Sequence, residues 1–303
     1  MRINVYSDKF SGTLSAAEVL KTVSSAFKDV DIQANYFPVT DGGEHSTQIL
    51  KHYNMKTEMI IMTRDFIGNS IPVEYLNVDN DIYFESASLI GVNKTSDHPF
   101  NLDTSALAEV IPNIDVLSLG GSKTVDGGVG LMSSLGIEFY TEENIITNPK
   151  PRDFKDITAV KIADSFSNLE LRVLTDTSIP LLGGNSAVAT YGPQKGLDKK
   201  DIKYLEEQLE RIYDILSLEL GIPLDPFKKD TGAAGGLSFA LGEIFGCELI
   251  SGSEYFLEKT NLLKKIKQSE ITIVCEGKFD KSSLSGKVIG EILKHATGDI
   301  YFL

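Results

Sequence analysis

The hydrophobic and polar positions near the start of the chain change from the period of a strand to that of a helix and back. Residues 2–7 (RINVYS) alternate as a strand does, and the apolar residues between Val19 and Phe27 recur on one face of a helix. Ser15 and Glu18 have the spacing of a capping box, which predicts the start of that helix. A second strand at residues 32–39 leads into another helix. This βαβα order predicts a parallel sheet.

The pattern changes between residues 58 and 85, where short extended pieces are separated by Gly-Asn and Asp-Asn turn signals. We expect a mixed or antiparallel sheet there. Strand–turn–helix units return at 114–136 and 169–192, and an amphipathic helix near 198–218 has the pattern of an ordinary structural element. A glycine-rich segment at 230–246 predicts a loop that leads into a tightly packed helix. A strand, a helix and a final strand-like segment follow this region. Because strands and helices alternate along most of the chain, the predicted fold class is α/β.

Composition and charge limit the classes of partner. The formal net charge of −14 argues against a protein that covers nucleic acid or an anionic membrane, because both need clustered Lys and Arg. Cys247 and Cys275 each lie in an apolar run, so we expect buried thiols and no disulfide. The sequence shows neither a signal peptide nor a run of 18 apolar residues. We therefore expect a cytoplasmic protein whose partners are small molecules.

Four segments share one design, in which a strand ends, an acidic residue follows and glycines open a turn into a helix. They are SDKFSG (7–12), TDGGE (40–44), GGSKTVDGG (120–128) and EGKFDKSSLSG (276–286). Such turns collect beyond the carboxyl ends of strands, where open α/β sheets bind ligands, so we expect them to converge on one cleft. Glycines and helix N-termini suit a phosphate, and a divalent cation would reconcile the carboxylates with that anion. Each glycine pair could equally serve packing alone.

This inventory matches what a kinase needs, namely a carboxylate base, carboxylates for a metal, and cations or N–H donors for the transferred phosphoryl group. The motifs of other classes are missing: GxxxxGK[ST] and GxGxxG do not occur in their proper contexts, and there is no GxSxG. The four histidines are scattered without the spacing of zinc ligands. A dinucleotide-dependent oxidoreductase therefore has little support.

Taken in order, the segments resemble the type I glycerate kinase family, whose members phosphorylate D-glycerate with ATP and Mg²⁺. The resemblance begins with the turn after Asp8, continues through the Asp41 and Gly120–Gly128 turns, and extends over nearly the whole chain. Further matching segments follow in the family's order: PLLG (180–183), YGPQKG (191–196), GAAGGL (232–237), ISG (250–252) and CEGKFD (275–280).

The resemblance implies a Rossmann-like domain made of residues 1–60 and 266–303, with a second α/β domain, 61–265, inserted between them and the active site in the cleft. It also implies ATP and Mg²⁺ as cofactors and a small hydroxy acid as substrate, and a homodimer is kept as an option. The catalytic candidates are Asp8 or Asp176 as base and Lys195 as a cation. The cofactor-binding candidates are Lys9, Gly120, Gly121, Ser122, Thr124, Gly127, Gly128, Gly235 and Gly236. The substrate candidates are Asp41, Glu44 and Asp126, and the metal candidates are Glu276 and Asp280.

Several positions depart from the family's pattern. Ser11 stands where the family has lysine, with Lys9 as the displaced cation, and Val125 and Ile179 each replace an asparagine. Ser282 begins a pair that replaces Gln-Ser, and in DTSALAE (103–109) two alanines replace glycines. A lost hydrogen-bond partner costs roughly 1–3 kcal/mol, so these changes would retune the substrate or abolish turnover. The alternative hypothesis is therefore a degenerate member that acts as a non-catalytic nucleotide- or anion-binding protein or as a regulatory protein.

Overall fold

The computed structural model describes residues 2–10, 13–175, 177–277 and 287–303. The chain forms two compact units, Met1–Met55 with Ser251–Leu303 (unit 1) and Lys56–Ile250 (unit 2). Both boundaries lie earlier in the chain than those expected at residues 60 and 266. Helices and sheets occur in both units, and the predicted α/β class is confirmed.

The strands and helices are as follows. The described strands are β1 (Ile3–Ser7), β2 (Asn35–Pro38), β3 (Lys56–Arg64), β4 (Ser70–Val78), β5 (Asp81–Glu85), β6 (Val116–Ser118), β7 (Ile137–Tyr140), β8 (Ile145–Ile146), β9 (Ala159–Ile162), β10 (Arg172–Thr175), β11 (Glu248–Ser251), β12 (Ile271–Cys275) and β13 (Asp299–Phe302). The described α-helices are α1 (Ala16–Asp29), α2 (Ser46–His52), α3 (Ala87–Ile90), α4 (Val129–Ser134), α5 (Ala187–Lys195), α6 (Lys199–Leu220), α7 (Leu237–Phe239), α8 (Gly252–Lys259), α9 (Leu262–Lys267) and α10 (Val288–His295).

Unit 1 contains a parallel sheet in the order β13-β12-β1-β2. β1 is buried along its whole length, as expected for a central parallel strand. Helix α1 begins as predicted, because Ser15 and Glu18 form a complete capping box. It packs Val19 and Leu20 against the sheet. β2 is shorter than the predicted strand, since the chain still turns at Asp31, whose φ is 52°.

Unit 2 contains a mixed sheet in the order β11-β10-β6-β5-β4-β3. β3, β4 and β5 pair antiparallel, as the pattern between residues 58 and 85 predicts, whereas β5, β6 and β10 are parallel. A smaller antiparallel sheet of β8, β7 and β9 lies beside them in the same unit. Helix α6 confirms the amphipathic prediction, burying Leu205, Leu209, Ile212 and Leu216 in the core.

The segment after Gly232 departs from the predicted regular helix. It has a 3₁₀ turn at Ala233–Gly236, then the short α7, then a π-helical turn at Ala240–Ile244. Ala234, Gly235 and Gly236 have left-handed backbone conformations, which interrupt the helix.

The cysteine prediction is confirmed, because Cys247 and Cys275 are buried free thiols. Burial raises the pKa of Cys247 to about 12 and that of Cys275 to about 11, so both thiols are chemically quiet at neutral pH. Within the described ranges, no helix combines the length and apolar character needed to cross a membrane.

Candidate active site

The glycine-rich loop at residues 120–128 follows the carboxyl end of β6. This strand lies between β5 and β10, with Ser118 paired to Glu85 on one side and Leu174 on the other. Ligands bind at this end of parallel strands in open α/β sheets. Gly120 and Gly121 have φ values of 152° and 65°, and the second of these lies squarely in the left-handed region that favours glycine.

Backbone hydrogen bonds fasten the first half of this loop to the segment after α3. The Val92 N–H donates to the Gly121 carbonyl at 2.7 Å, and the Lys123 N–H donates to the Ile90 carbonyl at 2.7 Å. Position 122 is therefore held on both sides by an antiparallel bridge to Gly91. These bonds fix the backbone of the loop's first half.

Asp126 is fully buried and organises the second half of the loop. Its Oδ2 accepts from the Thr104 N–H at 2.9 Å, the Thr104 hydroxyl at 2.8 Å and the Gly130 N–H at 3.0 Å, while its Oδ1 accepts from the Gly128 N–H at 3.2 Å. Burial and the charge of Asp103 raise the pKa of Asp126 to about 6, although these hydrogen bonds oppose the rise. The carboxylate predicted to touch substrate thus makes its described contacts with protein.

Lys195 ends α5, and its side chain reaches the same loop. Its ammonium group donates to the Ser122 hydroxyl at 3.0 Å and to the Thr124 carbonyl at 2.8 Å. Its side chain is buried, which lowers its pKa to about 7 even though Asp126 attracts the proton; Lys123 lowers it further. The structure therefore places the Ser122 hydroxyl and the Thr124 carbonyl against the Lys195 ammonium, and Lys195 supports the loop from a buried position rather than as an exposed cation.

Two of the predicted glycine pairs of unit 2, Gly127–Gly128 and Gly235–Gly236, pack against each other. The Gly127 N–H donates to the Gly235 carbonyl at 3.0 Å, and a Cβ at Gly235 would lie 2.1 Å from the Thr124 carbonyl oxygen. A Cβ at Gly127 would lie 2.1 Å from the Tyr213 hydroxyl, which donates to the Gly127 carbonyl at 2.9 Å. All four glycines also have positive φ, which favours glycine. Packing and backbone conformation are therefore enough to explain glycine at these positions.

Val125, which departs from the family's asparagine, is buried in the hydrophobic core of unit 2. An apolar side chain suits that position, because a buried amide would need hydrogen-bond partners of its own. At Ile179 the backbone carbonyl accepts from the Gly232 N–H at 3.2 Å, a contact that any side chain would allow.

In unit 1, Asp8, Lys9, Asp41 and Glu44 come together beyond the carboxyl ends of β1 and β2. The Lys9 ammonium lies 3.6 Å from the Glu44 carboxylate, and a Cβ at Gly43 would lie near both Lys9 and Asp41. Burial and the charge of Asp41 raise the pKa of Asp8 to about 7, against a 2.7 Å hydrogen bond from the Lys9 N–H. The lysine predicted to contact phosphate is thus paired with a carboxylate.

Glu276 directly follows β12 and Asp8 directly follows the neighbouring β1, whose last residue, Ser7, pairs with Cys275. Among the described residues no group of three or more His, Cys, Asp or Glu side chains has the geometry of a metal centre. Mg²⁺ needs only one or two carboxylates beside phosphate oxygens and water, and the mutual repulsion of Asp8 and Asp41 is what a divalent cation would relieve. The acidic turns of unit 1 therefore fit that ion. Asp176 and Asp280, and the departures at Ser11 and Ser282, lie outside the described residues.

Two residues of the loop's framework were missed by sequence reasoning, Thr104 and Tyr213. Thr104 lies in the DTSALAE segment, and its hydroxyl gives no local signal of a contact with Asp126, which is 22 residues away. Tyr213 lies on the buried face of α6 among apolar residues, and its hydroxyl was the only signal that this face carries a polar contact.

Comparisons with known proteins agree with this architecture. The sequence model of the Glycerate kinase family matches residues 3–299. A "Glycerate kinase" from Neisseria meningitidis serogroup B is 26% identical, the match covering 95% of this chain and 80% of that protein. Another "Glycerate kinase", from Halalkalibacterium halodurans, is 29% identical, with 92% of this chain and 78% of the relative covered.

A crystal structure of a protein described as glycerate kinase 2 from Salmonella typhimurium LT2 has the same fold. The TM-score is 0.73 at 23% identity, and the match covers 100% of this chain and 86% of that one. The resemblance drawn from the ordered turns is confirmed, and with it the enzyme class, a phosphotransferase with an alcohol group as acceptor. The chain belongs to the glycerate kinase family.

Proposed function

We propose that the protein transfers the terminal phosphoryl group of ATP to a hydroxyl of D-glycerate or a related small hydroxy acid, with Mg²⁺. The observation that carries this proposal is the loop at residues 120–128, held by the hydrogen bonds of Asp126 and Lys195 at the carboxyl end of β6 in a chain of this family. A loop held by such bonds loses less entropy when it binds a phosphate than an unconstrained loop does.

Asp8 is our choice for the base that takes the proton of the attacking hydroxyl. Its pKa of about 7 leaves a large fraction ionised at neutral pH while keeping the carboxylate basic enough to accept a proton. Asp176 is the alternative base. Lys9, held by Glu44, supplies positive charge in the same turn, and Asp41 and Glu44 are assigned to substrate.

Bound Mg²⁺ would neutralise charge on the transferred phosphoryl group and orient it. Glu276 and Asp280 remain our proposed ligands. ATP and the two reduced thiols both suit the cytoplasm, where we place the protein.

The test is ADP release across D-glycerate, tartronate-like acids and aldonic acids, with ATP and Mg²⁺. We expect release that depends on one of these acceptors. Failure with every acid, in protein shown to be folded and to bind ATP, would contradict the proposal.

A second candidate is a non-catalytic nucleotide- or anion-binding member. The observation in its favour is that the N–H groups of Gly127 and Gly128 and the Lys195 ammonium already bond to protein groups, which leaves fewer donors for a transferred phosphate. Calorimetry separates the two: nucleotide binding without acid binding or turnover supports this candidate, whereas acid binding with turnover excludes it.

A further inference from the structure

Ser122 and Lys195 have the arrangement of a nucleophile and its base. The lysine Nζ lies 3.0 Å from the serine Oγ. Lys195 is only 6% exposed and Ser122 only 4%. Serine–lysine pairs at this distance can activate the hydroxyl when the amine gives up its proton. Both residues lie in unit 2, Ser122 in the loop that the proposed function assigns to phosphate and Lys195 at the end of α5.

A second contact fixes the direction of the amine. The Thr124 carbonyl, 2.8 Å from Nζ, can only accept, so one N–H of Lys195 is always committed to it. A neutral amine keeps a lone pair that can accept the Ser122 hydroxyl proton, while an ammonium has none. Burial lowers the lysine pKa to about 7, with Asp126 opposing and Lys123 reinforcing the shift, so a substantial share of the amine is neutral near pH 7.

The neighbouring hydroxyl of Thr124 supplies an independent observation. Its Oγ1 is buried and makes no hydrogen bond with any described residue. A buried polar group without a partner costs free energy and calls for an explanation. An oxygen of a bound phosphoryl group, two residues from the Ser122 nucleophile, would satisfy it.

We propose that Ser122 accepts a phosphoryl group from a nucleoside triphosphate, with Lys195 as its base, so that transfer proceeds through phosphoserine. The inference rests on the proposed function for its phosphoryl donor. The Ser122 Oγ forms a bond to the terminal phosphorus, the bond from that phosphorus to the β,γ-bridging oxygen breaks, and its electron pair leaves on the nucleoside diphosphate. The hydroxyl proton moves to the Lys195 Nζ.

The second transfer restores the enzyme. A hydroxyl of the acid attacks phosphorus and loses its proton, through a base, to water; the bond between phosphorus and Ser122 Oγ breaks, and Lys195 returns its proton to that oxygen. No oxidant or further reactant is required.

The experiment incubates the full chain with ATP and Mg²⁺ in the absence of any acid, quenches the reaction rapidly and maps phosphate by peptide mass spectrometry. We expect phosphate on Ser122 in the wild-type protein, and its loss when D-glycerate is added. Ser122→Ala should carry none, and Lys195→Arg, which cannot deprotonate, should slow its formation by about 10²–10⁴-fold. Ser134→Ala, which removes a partly buried serine of the same unit, is the matched control and should behave as wild type.

The wild-type measurement does not depend on how the variants fold, and thermal unfolding checks each of them. Phosphorylated acid formed with no phosphoserine overturns this inference and leaves the proposed function standing. Phosphoserine with no phosphorylated acid supports the inference and contradicts the proposed function. Neither product, in folded protein that binds ATP, overturns both, and phosphate found only on another residue overturns the inference.

Discussion

The glycine turns of the two units share a sequence design yet treat their carboxylates in opposite ways. In unit 2, Asp126 accepts four hydrogen bonds from its surroundings and acts as a structural anchor. In unit 1, Asp8 accepts a backbone hydrogen bond from Lys9 and faces the charge of Asp41, which leaves its pKa near 7. The carboxylate of this motif therefore serves as scaffold in one unit and as a candidate reactive group in the other, and only its hydrogen-bond partners distinguish the two.

The largest expected effect comes from replacing Asp8, the candidate reactive carboxylate of unit 1. Asp8→Asn removes the proposed base while keeping its shape, so kcat for ADP release should fall by about 10²–10⁴-fold. Thermal stability should hold or increase, because the variant relieves the repulsion from Asp41. Asp31→Asn is the control, since Asp31 is exposed and asparagine tolerates its left-handed backbone. Wild-type turnover in Asp8→Asn would remove Asp8 from the mechanism.

In unit 2, a single substitution can disrupt the packing of Gly127–Gly128 against Gly235–Gly236. Gly235→Ala would place a methyl group 2.1 Å from the Thr124 carbonyl oxygen at a φ of 71°, and we expect a loss of about 2–4 kcal/mol of unfolding free energy. Gly184→Ala meets no atom within 4 Å and should change stability by less than about 0.5 kcal/mol. Denaturant unfolding of both variants measures the contrast, and equal stabilities would show that this packing is not needed.

Asp126→Asn also tests the scaffold of unit 2, with a smaller expected loss of stability. Both carboxylate oxygens of Asp126 accept hydrogen bonds, so the NH₂ group of the new asparagine would point at a donor instead of accepting from it. This should lower the free energy of unfolding by about 1–3 kcal/mol. Denaturant unfolding is again the measurement. A variant as stable as wild type would mean that Asp126 is not the anchor of the loop, and its predicted role toward substrate would then be favoured.

The smallest effect is a pH dependence of stability. Because the folded-state pKa of Asp8 is raised, the unfolded chain loses this proton first as pH rises, and stability falls between about pH 4 and pH 7. The stability advantage of Asp8→Asn over wild type should therefore grow across that window and level off above it. Unfolding midpoints at several pH values test this, and a constant difference from pH 4 to pH 8 would contradict the assigned cause.

Local features of the site could be read from the sequence, because they depend on neighbouring residues. The capping box of α1 and the glycines that follow β6 are short-range signals, and both are found where expected. The partners of Asp126 and Lys195 could not be read in this way. Thr104 lies 22 residues from Asp126, and Ser122 lies 73 residues from Lys195, so only the folded chain shows that both charges bond inward.

The departures from the family's pattern also had to be interpreted from the folded chain, because their effect depends on distant residues. Val125 looked like a lost polar contact in the sequence, yet it lies in the core of unit 2, where an apolar side chain is stabilising. The resemblance identified the family, whereas the environment of each residue decides which substitution touches chemistry.

The most direct test of the proposed activity is to look for the product itself. Wild-type protein incubated with ATP, Mg²⁺ and the candidate acids should yield a phosphorylated acid, and nuclear magnetic resonance of that product would identify the hydroxyl that carries the phosphate. Folded protein that binds ATP but forms no phosphorylated acid from D-glycerate or any related hydroxy acid would contradict the account.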